Sequence, residues 1–198
     1  MTPKSALMAA LLAFPVFSGC GSSPKSTFYT LSSAAAPEPA PATAPLGVAI
    51  GPVTVPDIVD RPQIVVRVAA NQVTVNEFAR WGAPLKDEIP RVIADNLTRL
   101  LNGARVSTYP QAGSTDGDYL VTIGVQRFES ALGDAATVEV LWTVRPPKGG
   151  APRTGRSVVR EPVQGKDYDA LVAAHSRALA AISRDIADAV RAAAGASR

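Results

Sequence analysis

From Leu46 onward, apolar and polar positions alternate: Leu46, Val48 and Ile50 point one way, Gly51-Pro52 interrupts, and Val53 and Val55 resume. That is the period of a strand with one buried face. Ile64, Val66 and Val68, a turn at Asn71-Gln72, then Val73 and Val75 read as a hairpin. From Pro84 to Leu101 the spacing becomes helical. Leu85, Ile89, Val92, Ile93, Leu97, Leu100 and Leu101 fall on one face, with Lys86, Asp87, Arg91, Asp95 and Arg99 off it and Asn102-Gly103 as a stop. Pro90 inside this run predicts a kink or a start near Asp87, because proline has no N–H for the helix ladder. Arg105 to Tyr109 returns as a strand, and a Pro/Gly/Ser/Asp loop over Pro110 to Asp118 turns the chain. Tyr119 to Phe128 and Thr137 to Val144 then alternate clearly, with Val121, Ile123 and Val125 set against Val138, Val140, Trp142 and Val144 as inward positions. A turn over Pro146 to Pro152 leads to an edge strand at Ser157 to Val163. The chain closes on an amphipathic helix over Asp167 to Ala194, whose stripe is Leu171, His175, Leu179, Ile182, Ile186 and Val190.

The order strands, helix, strands, helix predicts an α+β fold, a mixed or largely antiparallel sheet with two amphipathic helices packed on it. A single domain over 46–198 accommodates all of it. Before that lie Phe28-Tyr29-Thr30-Leu31, a short β-prone island free to dock on the sheet, and the Pro/Ala stretch Ser32 to Pro45, which reads as a spacer in extended geometry.

Composition narrows the function. Among 198 residues there are 20 basic and 17 acidic side chains, a formal charge of +3, with the basic positions scattered; this is no footprint for nucleic acid. One cysteine and one histidine exclude a disulfide framework, a thiolate zinc cluster and a multi-histidine metal site. No catalytic constellation emerges, and no cofactor is expected. His175 lies on an apolar stripe, and adjacent Ser176 points about 100° away on a helix, so His175 reads as structural. The glycines are dispersed and form no phosphate-cradling loop.

Met1 to Gly19 reads as a signal peptide: Lys4, an apolar run from Ala6 to Phe17, then Ser18 and Gly19. The run falls short of the roughly 20 residues a spanning helix needs, and Pro15 interrupts it. Phe17-Ser18-Gly19-Cys20 resembles the bacterial lipobox, with Phe17 where leucine is usual. The resemblance implies that Cys20, the only cysteine, carries a thioether-linked diacylglycerol, with a further acyl chain on the freed amine. Residues 20–45 then form a lipid-anchored N-terminus and linker. Gly21, where inner-membrane lipoproteins of enteric bacteria carry Asp, implies the outer membrane facing the periplasm rather than the inner membrane.

Several longer motifs carry a family resemblance. They are Phe28-Tyr29-Thr30-Leu31, Ile50 to Pro56 (IGPVTVP), Asp60 to Arg67 (DRPQIVVR), Glu77 to Leu85 (EFARWGAPL), Asn96-Leu97, and Tyr168 to Ser176 (YDALVAAHS). Together they resemble the PqiC-like ABC-type transport auxiliary lipoproteins. That resemblance implies a non-enzymatic adaptor or docking component of an MCE-type lipid transport system. Its partners would be a periplasmic MCE-domain protein and an inner-membrane permease, and rings of identical copies are implied as well. The alternative is a carrier that holds an acyl chain itself, in space left by the Ala-rich last helix.

Arg61, Arg67, Arg80 and Trp81 are the candidate partner or lipid contacts. Arg and Trp are typical interface anchors, and a guanidinium suits a phosphate or a carboxylate. Each has a structural counterpart: Trp81 stapling the helix start to the sheet with Arg80 pairing nearby, and Arg61 or Arg67 bridging to Asp57, Asp60 or Glu77.

Overall fold

The protein was analysed as a computed structural model, which describes residues 24–37, 46–108 and 118–196. In chain order the elements are β1 (Thr27–Tyr29), β2 (Gly47–Thr54), β3 (Gln63–Ala69), β4 (Gln72–Trp81), α1 (Leu85–Leu100), β5 (Arg105–Thr108), β6 (Tyr119–Ala131), β7 (Ala135–Arg145), β8 (Arg153–Pro162) and α2 (Tyr168–Ala196), with a short 3-10 turn at Pro147–Gly149. Two sheets result. The larger has the order β5-β2-β6-β7-β8, with β2 parallel to both β5 and β6 and the remaining pairs antiparallel. The smaller has the order β1-β4-β3, a hairpin with β1 added in parallel at its edge. The fold is therefore α+β with mixed sheets, as the element order predicts.

The inward sets of the large sheet match the alternation. Val121 pairs with Val144, Ile123 with Trp142 and Val125 with Val140, and all but half-buried Trp142 are fully enclosed. At Gln126 the register shifts by one, so burial resumes at Phe128 and Ser130 rather than at Arg127 and Glu129. Gly51-Pro52 likewise forms a bulge inside one continuous β2 rather than a break between two strands. Four strands run past their predicted ends. β6 and β7 continue to a tight turn where Gly133 takes a left-handed φ of 69°, β8 begins at Arg153, and β4 reaches Trp81.

Helix α1 begins at Leu85, before the proline, so Pro90 lies inside it and only the Lys86 carbonyl is deprived of a ladder donor. The residues of its apolar face are buried, as is the stripe of α2. Asn96 on α1 meets Ser183 on α2, and further along the Leu100 carbonyl meets Arg191, so the two helices run side by side in the same direction. The α2 residues Ala174, Ala178, Ala180, Ala187 and Ala193 are all buried in the core. The small residues expected to leave room for an acyl chain instead let the helix pack closely.

Three aromatic rings join the two sheets to α2. His175 of α2 stacks on Phe128 of β6 with centroids 4.0 Å apart and planes 5° from parallel, and Trp81 of β4 meets both rings edge-on at 5.9 and 6.2 Å. Edge-to-face and stacked pairs are the geometries that the ring quadrupole favours.

Candidate functional site

Of the four candidate contacts, Trp81 is in the core at 5% exposed. It ends β4 and staples the small sheet to Phe128 and His175, four residues before α1 begins. Arg80, beside it, donates Nε–H to the Glu77 carbonyl at 3.1 Å, and its guanidinium lies 3.9 Å from the Glu77 carboxylate. Arg67 finds neither Asp57, Asp60 nor Glu77. Because β3 leans on β6, its partner is Glu129 at 2.7 Å, and it also donates to the Ala70 carbonyl at 2.6 Å. Arg61 is exposed and makes no ion pair among the described residues. It lines a cleft of about 340 Å³ with Asp60, Pro62, Trp81, Pro84 and Lys86, in which Lys86 lies 3.8 Å from Asp60. Trp81 and Arg61 thus share a wall, while Arg67 borders a different, smaller cleft of about 110 Å³ between the small sheet and β6.

Apolar exposure concentrates on the small sheet. Phe28, Val68, Val73, Val75 and Phe78 belong to it, and all are more than a third exposed. Ile58, in the loop before β3, is 53% exposed and lines the same cleft as Val73. Phe28 sits in register with Arg80. Singly exposed apolar side chains are ordinary, whereas a concentration of them marks an interaction surface. The large sheet shows only Leu141 and Val158 on its outer face among the described residues, beside Glu139, whose hydrogen bond from Arg156 and pairing with Arg127 hold its carboxyl below the usual range.

His175 is fully buried, and desolvation pushes its pKa down to about 3, so the ring is neutral. Its Nε2 lies 2.8 Å from Ser130 Oγ, while Nδ1 is buried with no partner. An orphaned acceptor is tolerated better than an orphaned N–H, which assigns the proton to Nε2 donating to Ser130. This serine–histidine pair has the separation of a nucleophile and its base. Both members are sealed from solvent, however, and the companion is Ser130, which comes from β6 and is 45 residues from His175 in the chain, rather than the neighbouring Ser176.

The residues that follow β1 make the densest set of long-range polar contacts. Leu31 N–H donates to Glu88 Oε2 at 3.1 Å and Ser32 N–H to Ser176 Oγ at 3.1 Å. Ser33 Oγ and Ala35 N–H both reach Asn96 Oδ1, at 2.7 and 3.1 Å, and Asn96 Nδ2 donates onward to Ser183. The side chains of Leu31 and Ala35 are each 2% exposed. What reads as the start of a Pro/Ala spacer is in fact seated on α1 and α2. Burial raises the Glu88 carboxyl, against the lowering effects of the Leu31 amide and Arg91. The signal for this seat is present in the sequence: Glu88 and Asn96 are polar residues that each lie four positions, about one helical turn, from Val92 on the face that α1 buries.

Among the described residues, no group of His, Cys, Asp and Glu is placed to hold a metal ion, and no helix is long and apolar enough to cross a membrane. Cys20, the signal region and most of the spacer and of the Pro110 to Asp118 loop lie outside the described residues.

Fold and surface together describe a small α+β domain whose N-terminal segment is seated on its helices and whose small sheet exposes apolar side chains. Comparison with known proteins makes this class specific: the chain belongs to the ABC-type transport auxiliary lipoprotein components, whose family pattern matches residues 29–187. The fold is similar to that of a crystal structure described as an uncharacterized protein, at a TM-score of 0.70 and 18% identity over 84% of this chain and 99% of that one. It is also similar to protein XCC0632 from Xanthomonas campestris, at a TM-score of 0.64 and 22% identity over 81% of this chain and 92% of that one. No curated protein matches the chain at a significant level.

Proposed function

We propose that this lipoprotein is the adaptor or docking component of an MCE-type lipid transport system. Cys20 carries the lipid anchor in the outer membrane, and the domain faces the periplasm, where it receives an MCE-domain protein that is linked to an inner-membrane permease. The observation that carries the docking role is the concentration of exposed apolar side chains on the small sheet, Val73, Val75 and Phe78 above all. A non-enzymatic role agrees with the burial of the Ser130–His175 pair, which no substrate reaches without unfolding the core. The Arg61 cleft, at the end of β4, supplies a cation for a partner carboxylate or a lipid phosphate.

The test is photo-crosslinking from positions 73 and 78 in the native envelope, followed by identification of the captured species. The expected result is an MCE-domain protein. Capture of lipid without protein would put the carrier reading first and overturn docking. The mass of the detergent-purified protein decides whether identical copies form a ring.

A further inference from the structure

The N-terminal segment sits on the helix pair as a separable part. β1 is only three residues long and pairs at the edge of the small sheet, with Phe28 62% exposed. Beyond it, only Leu31 and Ala35 bury their side chains, and Ser32, Ala34, Ala36 and Pro37 face solvent. Its remaining bonds run to side chains of the helices rather than to a backbone ladder. Short elements with few buried apolar contacts are the first to open in a folded protein.

The seat keeps its own hydrogen bonds without the segment. Ser176 and Ser183 donate to the Val172 and Leu179 carbonyls four residues back, Asn96 donates to Ser183, and Glu88 keeps Arg91 at 3.9 Å. Departure of the segment therefore opens a groove whose polar groups water can satisfy, rather than tearing a sealed core. Eleven residues separate Ala35 from Gly47, so release does not pull on β2.

We propose that residues 27–35 are a releasable strap and the groove between α1 and α2 its seat, so that docking and release set how far the domain stands from its anchor. This rests on Cys20 carrying that anchor, as proposed above. With the strap seated, the free tether from Cys20 to Thr27 reaches at most about 25 Å; with it released, the tether runs to Gly47 and reaches about 90 Å. A docked strap holds the domain against its membrane, and a released one lets it meet a partner well out from the surface.

Amide hydrogen exchange on the full lipidated chain in phosphatidylethanolamine/phosphatidylglycerol vesicles tests this directly. The amides of Leu31, Ser32 and Ala35 are expected to exchange together, at least about tenfold faster than the interior of α2. Asn96→Ala speeds them by roughly a further tenfold while α2 protection stays unchanged. Leu31→Ser provides the same reading from the strap side, should the Asn96 variant fold poorly. In parallel, a dye at Thr154→Cys moves away from a membrane-surface dye in either variant. Strap amides that exchange only as slowly as the α2 interior, or a dye distance that both variants leave unchanged, would overturn the proposal. No partner protein is present in these samples, so neither result bears on whether the small sheet docks one.

Discussion

The helix pair and the small sheet treat exposed surface in opposite ways. Over α1 and α2 the chain lays its own N-terminal segment, inserts Leu31 and Ala35, and meets the backbone with Glu88, Asn96 and Ser176. Over β3 and β4 it leaves Val68, Val73, Val75 and Phe78 in water. A surface covered by its own chain is held by polar groups that read a backbone, while the bare one offers aliphatic and aromatic area, the material of interface cores. The contrast separates a contact the chain makes with itself from the one proposed above for another molecule, and the aromatic trio of Trp81, Phe128 and His175 couples the two regions.

Removing that coupling has the largest effect. Phe128→Ala deletes the ring on which His175 stacks and against which Trp81 rests, and is expected to cost about 3 to 5 kcal/mol, read as a lower urea midpoint. If the small sheet then loses amide protection before the large one, the two regions are separate cooperative units; simultaneous loss merges them.

Acid acts on the same joint. The folded pKa of His175 is depressed to about 3, so between roughly pH 6.5 and 3 the unfolded chain binds a proton that the folded chain refuses, and stability falls as pH falls. Lowering the pH from 7.5 to 5 should cost about 2 kcal/mol from this group alone. His175→Phe keeps a ring in place and removes that contribution, so a pH profile as steep in the variant as in the parent would discard this assignment.

Arg67→Ala takes away the bridge from β3 to Glu129. Both partners are about a third exposed, so the expected loss is about 1 kcal/mol, measured by thermal unfolding at low and high salt. Smallest of all for stability is Val73→Ser with Phe78→Ser, both exposed on the small sheet, within about 0.5 kcal/mol. Co-purification with the proposed MCE-domain partner should nevertheless drop at least about tenfold. A large stability loss with unchanged co-purification would mean that these side chains serve the fold.

Strands and helices were legible wherever burial follows a single period. Val121, Ile123 and Val125 and the α2 stripe declare themselves because each element presents one face to one core. The reading failed where the backbone breaks phase. The register of β4 against β3 slips by three residues between Val75 and Arg80, where the Asn76 side chain accepts the Phe78 and Ala79 amides, so Glu77 to Trp81 does not continue the alternation and the predicted hairpin stops at Val75. The Arg67 to Glu129 pair depends on two sheets meeting, which no local pattern encodes. The seat for residues 31–35 was hidden differently. Alanine and serine next to prolines suggest a linker by composition, while the groups that bind them, Glu88, Asn96 and Ser176, lie 57 to 144 residues away in the chain.

That last separation has a consequence in time. A ribosome makes Ser32 early and Ser176 near the end, 144 positions later, and everything between them must be present before the two can meet. The first element of the fold to be synthesised is thus among the last to find its place, because half of its seat is a helix at the far end of the fold. A truncated or stalled chain has nowhere to put its beginning, and closure of the strap marks a molecule that was finished.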